Sequence, residues 1–187
     1  MSVDFAAART IMVDSQVRPQ DVTNVALLDA MRRVPRESLF TEDKRYLAYA
    51  DTDVEYTPGH WLLRPRDIGK LLQALAPRHG ERALAIAAPY GAALLSTMGL
   101  AVTAIGAGDS PEGAFDVILC EGAVDTTPEA WRQALVPDGR LGVIEREGAT
   151  GRAMLYMRTG DRVAARPLFD CAPAFLLGFA PKTAFVF

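Results

Sequence analysis

The chain has 187 residues, half of them hydrophobic and 23% charged, with a formal net charge of −3. That length suits one domain with a core of its own, and the charge balance gives no reason to expect nucleic acid or an acidic membrane as a partner. Only Lys44, Lys70 and Lys182 are lysine; the remaining cations are arginines scattered along the chain, which reads as a solvated surface.

The first sixty residues read as helical. Phe5, Ala8 and Met12 mark one helix, and Leu27, Leu28 and Met31 mark a second, with Asn24 placed to cap it. Asp4 and Arg9 stand where a signal peptide would need an apolar run. Pro35 ends the second helix, RESLF (Arg36 to Phe40) follows as a short apolar anchor, and Asp51 to Gly59 reads as an irregular loop. His60 and Trp61 come straight after that glycine, where they either line a groove or leave Trp61 packed beneath the N-terminal helices. Pro65 then suits a first helical position, with Ile68, Leu71, Leu72 and Leu75 on one face and Pro77 as the stop.

Beyond this the period changes. ALAIA (Ala83 to Ala87) reads as a short strand, AALLSTMGL as a helix, AVTAI (Ala101 to Ile105) as a second strand and FDVILC (Phe115 to Cys120) as a strong parallel strand. No residue from Ala83 to Gly108 is charged. The run is long enough to cross a membrane, but it is rich in Ala and Gly and interrupted by Pro89, so a buried strand–helix–strand fits better. Thr127 is placed to cap a further helix, with Pro128 in its first turn and Trp131 and Leu135 facing inward; PDGR (Pro137 to Arg140) is a turn into the strand RLGVIE. RAMLYMRT, a two-residue Gly160–Asp161 turn and RVAARPLF form a hairpin, and TAFVF closes the chain as a last strand. The expectation is an α/β fold with a doubly wound, mostly parallel Rossmann-like sheet and an antiparallel C-terminal hairpin. It forms a single domain, with residues 1–60 as a helical N-terminal extension and 61–187 as the α/β core. Cys120 and Cys171 lack metal-ligand spacing and read as buried reduced thiols of a cytoplasmic protein.

The order of these pieces resembles the protein-L-isoaspartate O-methyltransferase family, which methylates isoaspartyl carboxylates with S-adenosylmethionine. The resemblance rests on VPRESLF (Val34 to Phe40), AYAD (Ala48 to Asp51), Arg64–Pro65 before a Leu-rich helix, FDVILCEGAV (Phe115 to Val124), the PEAW helix, LVPDGRLGVI (Leu135 to Ile144) and the terminal hairpin. VPRESLF is the most distinctive of them. Methyl transfer asks the protein mainly to hold donor and acceptor in line, so the cofactor pocket carries the activity.

That pocket is where this sequence departs from the family. The family has an acidic residue followed by G-x-G-x-G after the first strand, so that the backbone can approach the methionine moiety. Here the acidic position is Ala85, and the glycine positions are Ala87, Pro89 and Gly91. The acidic residue that would hold the ribose at the end of the second strand is replaced by Gly106. A hydrogen bond to a charged group contributes roughly 1.5–3 kcal/mol, so two such losses weaken cofactor affinity by about a hundred- to ten-thousandfold. The family also inserts a helix and strand before FDVILC. This chain has only the nine residues Gly106 to Ala114, fewer than the ~10–12 of a helical crossover but enough, at about 30 Å extended, to cross the sheet as bare chain.

On the substrate side, the serine common in the family is Leu63, leaving His60, Trp61 and Arg64 nearby. Glu121 and Gly122 follow the strongest strand, where ligands of open α/β sheets bind, and Glu121 reads either as a pocket remnant or as a surface carboxylate. The resemblance therefore implies a pseudoenzyme with a degenerate S-adenosylmethionine site, kept as a binding or scaffold module. No cofactor, no metal and no catalytic residue is expected, although S-adenosylmethionine is the cofactor if the pocket still works. The alternatives are an active isoaspartyl methyltransferase, or a sheet that binds some other small ligand at Glu121 and the Gly91 turn. The sheet edge exposed by the deletion favours pairing with another protein or with a second copy.

Overall fold

The computed structural model describes residues 4–181. The N-terminal third is helical: α1 (Phe5–Met12), capped by the Asp4 side chain on the Ala7 amide at 3.0 Å, runs into a π-turn over Val13–Val17. Asn24 caps α2 (Val25–Arg33), accepting from the Leu27 amide at 3.0 Å as its position predicts. A 3-10 turn over Arg36–Leu39 follows. The stretch read as an irregular loop is instead half of a small antiparallel hairpin, β1 (Val54–Thr57) with β2 (His60–Leu62), turned at Gly59 with φ of +74°. These strands have four and three residues, too short for alternation to announce them.

The main sheet has six strands in the order β4–β3–β5–β6–β7–β8. They are β3 (Arg82–Ile86), β4 (Ala101–Ile105), β5 (Phe115–Val124), β6 (Leu135–Glu147), β7 (Thr150–Thr159) and β8 (Arg162–Asp170). β4, β3, β5 and β6 are parallel; β6, β7 and β8 are antiparallel, joined by tight turns at Gly148–Ala149 and Gly160–Asp161. The doubly wound sheet with an antiparallel end expected from the sequence is present. The segment read as TAFVF lies outside the described residues.

Helices α3 (Pro65–Leu75) and α4 (Pro89–Thr97) cover one face with the N-terminal helices, and α5 (Glu129–Gln133) covers the other. On α3, Ile68, Leu71, Leu72 and Leu75 are fully buried, each stabilising the fold by roughly 1.5–3 kcal/mol. Trp131 of α5 stacks 5.5 Å from Phe179. Cys120 and Cys171 are buried free thiols, and no helix among the described residues is long and apolar enough to cross a membrane. The uncharged run resolves into β3, α4 and β4. The link from Gly106 to Ala114 contains only turns, so one helix–strand unit is missing between β4 and β5.

Three local readings differ. Thr127 does not cap α5: its hydroxyl donates to Glu145 Oε1 at 2.6 Å, a partner that sequence distance conceals. Helix α4 starts at Pro89, three residues before AALLSTMGL, because proline tolerates the first helical position. PDGR lies within β6 as a register shift, with Asp138 at φ of +62°, so Leu135 belongs to the strand.

After β8 the chain turns back along the C-terminal end of β5. The Ala123 amide donates to the Ala174 carbonyl (3.1 Å), and the Leu176 amide to the Ala123 carbonyl (2.8 Å). Since β6 holds one flank of β5, residues 174–176 take the other flank, beyond the end of β3. This return is anchored at Gly151, whose carbonyl accepts from the Cys171 amide at 3.0 Å. A Cβ on Gly151 would stand 2.3 Å from the Cys171 carbonyl oxygen, and backbone yields less readily than a side chain. Gly151→Ala is expected to destabilise the protein by about 1–3 kcal/mol in urea denaturation, with the m-value unchanged.

Candidate functional site

In an open α/β sheet the ligand crevice lies beyond the carboxyl ends of the strands, where the strand order reverses. Here that point is between β3 and β5, next to the N-terminus of α4. Three segments meet there: the Ala87–Gly91 turn, Glu121–Gly122 of β5, and Leu63 just before α3.

Glu121 is neither a surface carboxylate nor open to solvent. It is fully buried, with Oε1 accepting from the Leu63 amide (3.2 Å) and Oε2 from the Gly91 amide (3.3 Å). Gly91 is the third residue of α4, so Glu121 satisfies one of the amides that a helix start leaves free and sits at its positive end. Pro89 contributes no donor. The Leu63 carbonyl in turn accepts from Arg36 Nη2 at 2.7 Å, while Arg36 Nε donates to the Ala48 carbonyl at 2.8 Å. Arg36, the arginine of VPRESLF, is as buried as Glu121, and its guanidinium lies 4.8 Å from the centre of the Tyr90 ring. The backbone of one residue, Leu63, thus links a buried cation, at its carbonyl, to a buried anion, at its amide.

The electrostatics follow from the burial. Desolvation pushes Glu121 up to about 7, opposed by the Arg36 charge and by the two amides, with Asp53 adding a smaller push upward. Desolvation also lowers Arg36 and raises the Tyr90 phenol. Arg36 Nη1 and the Tyr90 hydroxyl are buried without a hydrogen-bond partner, a cost that holds the network short of full satisfaction.

The other positions read from the sequence are distributed around this point. Ala85 is buried in β3 beneath α4, where a carboxylate would have no water. Ala87 keeps a glycine-like backbone at φ of +47° and donates its amide to the Ile105 carbonyl (2.9 Å), so the turn survives with an alanine strained in it. Tyr90, between Pro89 and Gly91, is fully buried. At Gly91 a Cβ would meet Leu119 Cδ2 at 2.3 Å, which gives that glycine a packing role in holding α4 against β5. Gly122 has φ of +153°, and a Cβ there would meet Leu176 Cδ2 at 2.4 Å; the returning segment 174–176 rests directly on it. At the end of β4, Gly106 donates its amide to Asp109 Oδ2 at 2.8 Å. A carboxylate is therefore present near the ribose position after all, three residues later than the family's place for it. It is exposed and bound to its own turn.

On the substrate side Leu63 is buried, and only its backbone takes part. His60 is exposed and Trp61 half-buried on β2, with His60 6.1 Å from the Tyr56 ring. The structure does not bring them to the Glu121 network. It does bring Arg64, whose side chain pairs with the buried Asp67 at 2.7 Å and whose backbone amide donates to Asp53 Oδ1 at 2.8 Å. Arg36 and Asp53 are the residues that sequence reading missed. VPRESLF was the signal for the first, yet nothing local says that its arginine is buried.

These side chains do not fit S-adenosylmethionine. The Gly91 amide is taken by Glu121, Tyr90 is buried against the Arg36 guanidinium, Leu176 rests on Gly122, and the Asp109 carboxylate at the end of β4 is bound to its own turn. A cleft of about 670 Å³ lies elsewhere, lined by both charges, including Glu145, Arg146, Arg152 and Asp170.

Known proteins place the fold in context. No family model matches the chain. A protein-L-isoaspartate O-methyltransferase of Methylorubrum extorquens is 34% identical over 195 residues, covering 87% of this chain and 85% of its own. That of Methylorubrum populi is 33% identical over 72% of this chain and 78% of its own. Among solved structures, a Plasmodium falciparum protein described as a protein-L-isoaspartate O-methyltransferase, in complex with S-adenosyl-L-homocysteine, superposes with a TM-score of 0.74. It has 16% identity and covers 90% of this chain and 97% of its own.

The raised Glu121 sets a pH dependence. A carboxyl whose folded value lies above its unfolded one binds protons more readily when folded, so stability falls as pH rises from the unfolded value of 4.5 to about 7. Relative to Glu121→Gln, the native protein should lose on the order of 2–3 kcal/mol across that window, read from thermal melts of both proteins at pH 5 and pH 8. Equal pH profiles would show that the carboxyl ionises freely. Ala87→Gly, which relieves the left-handed strain, is expected to raise stability by about 0.5–1 kcal/mol in the same melts.

Proposed function

The chain belongs to the protein-L-isoaspartate O-methyltransferase family, and from that premise we propose that it is a pseudoenzyme of the family. In this reading the methyltransferase scaffold persists as a binding module, and its own side chains close the S-adenosylmethionine site. The observation that carries this reading is the bond from the Gly91 amide to Glu121 (3.3 Å). It places a buried carboxylate at the start of α4, where the family's glycine-rich turn admits the cofactor. Tyr90, Gly122 beneath Leu176, and the shortened Gly106–Ala114 link support it from three further directions. Opening the crevice would expose an ionisable group whose partners would be left unpaired, and breaking a buried charge arrangement by removing one partner costs roughly 3–5 kcal/mol. The relatives' cofactor does not bring interactions at Ala85 or Gly106 to offset that.

The reading also places the protein in the cytoplasm, on the strength of its reduced buried thiols.

Isothermal calorimetry of the full chain with S-adenosylmethionine and with S-adenosylhomocysteine tests it. No heat of binding up to millimolar ligand, and no methyl transfer to an isoaspartyl peptide, are expected. Micromolar affinity for either ligand would overturn the pseudoenzyme reading in favour of an active methyltransferase with a rearranged pocket.

A further inference from the structure

The two edges of the main sheet are built differently. At one end β8 carries Arg162, Arg166, Pro167 and Asp170. Charges and proline are devices by which edge strands avoid pairing with other chains. At the other end β4 is Ala-Val-Thr-Ala-Ile, with no charge and no proline, and Ala101, Thr103 and Ala104 are exposed. The accessible positions of α4 beside it (Ala92, Ala93, Ser96 and Thr97) are also small and uncharged. The nearest charge along the chain after β4 is Asp109.

We propose that β4 is the seat of a homodimer, in which a second copy of this chain pairs antiparallel across a two-fold axis and joins two six-stranded sheets into one. A two-fold contact sets each residue of the axis against its own copy or a near neighbour. Any charge there would face itself, so a charge-free edge suits a second copy better than it suits a charged partner.

The backbone fixes the register. The Ala101 amide and the Ile105 carbonyl both bond toward β3, so by strand alternation Val102 and Ala104 turn their amides and carbonyls outward. An axis through Thr103 sets Val102 opposite Ala104 of the copy, and Ala104 opposite Val102, as hydrogen-bonded pairs. Four bonds then flank a Thr103–Thr103 pair, a favourable cross-strand combination. Val102 is level with Ala83 and packs toward α4, while Thr103 is level with Leu84 on the opposite face. Both copies of α4 therefore lie on the same side of the joined sheet. Their small side chains allow the close approach needed to reach the ~1,200 Å² of a specific interface, which a ladder of five residues does not supply by itself.

Sedimentation velocity of the full chain from micromolar to hundreds of micromolar tests the proposal, independently of cofactor binding. A reversible dimer of the 20.2 kDa chain is expected. Thr103→Lys, at an exposed position, puts two cations face to face and should weaken association by about tenfold or more. Ala104→Pro removes an outward amide that bonds nothing in the monomer and should do the same. Circular dichroism melts of both variants verify that the fold persists. A monomer at every concentration overturns the proposal and leaves the edge to a strand of another protein. A dimer that survives both folded variants overturns it equally, since the interface is then elsewhere.

Discussion

A carboxylate buried at the centre of the sheet's carboxyl edge governs the rest of this molecule. Glu121 cannot be solvated where it stands, so it depends on the Leu63 and Gly91 amides and on the charge of Arg36 beyond the Leu63 peptide. Those partners come from three parts of the chain: the VPRESLF turn, the approach to α3 and the start of α4. The network therefore ties the N-terminal helices to the sheet. It uses the same feature that a nucleotide-type ligand would use, the free amides and positive end of a helix. In the proposed reading, a helix start capped from within is not available as a cofactor cradle, and function departs from fold at this point.

Other changes around the crevice agree with that exchange. Ala87 keeps the left-handed turn of a glycine-rich loop without the glycine. Tyr90 fills space under the Arg36 guanidinium. Segment 174–176 lies on Gly122 along the flank of β5 that the crevice would need. No one of these changes blocks a ligand alone, but each occupies space or uses a donor that the others leave, which is consistent with a packed interior that admits few partial solutions. The missing helix–strand unit acts at the opposite side by leaving β4 as a bare edge.

Much of the fold was legible because its signals are local. Asn24 caps α2, Ile68, Leu71, Leu72 and Leu75 line the buried side of α3, and the two-residue Gly160–Asp161 turn joins β7 to β8, as their sequence patterns state. Losses at Ala85, Ala87, Pro89 and Gly106 were legible as departures from a family pattern. The burial of Glu121 and the return of residues 174–176 along β5 were not. Burial of Glu121 depends on Leu63 and Gly91, which lie 58 and 30 residues away, and Thr127 is claimed by Glu145 across 18 residues. Such contacts leave no periodicity to read. The β1–β2 hairpin was missed for the opposite reason, since its strands are too short to display one.

The central claim is that the crevice between β3 and β5 is closed by Glu121, Tyr90 and residues 174–176. A crystal structure grown with saturating S-adenosylhomocysteine tests it most directly. The account predicts that the Glu121–Gly91 bond remains intact and that no ligand density appears in the crevice. Ligand density beside Ala87 and Gly106, with Tyr90 or Leu176 displaced, would contradict it.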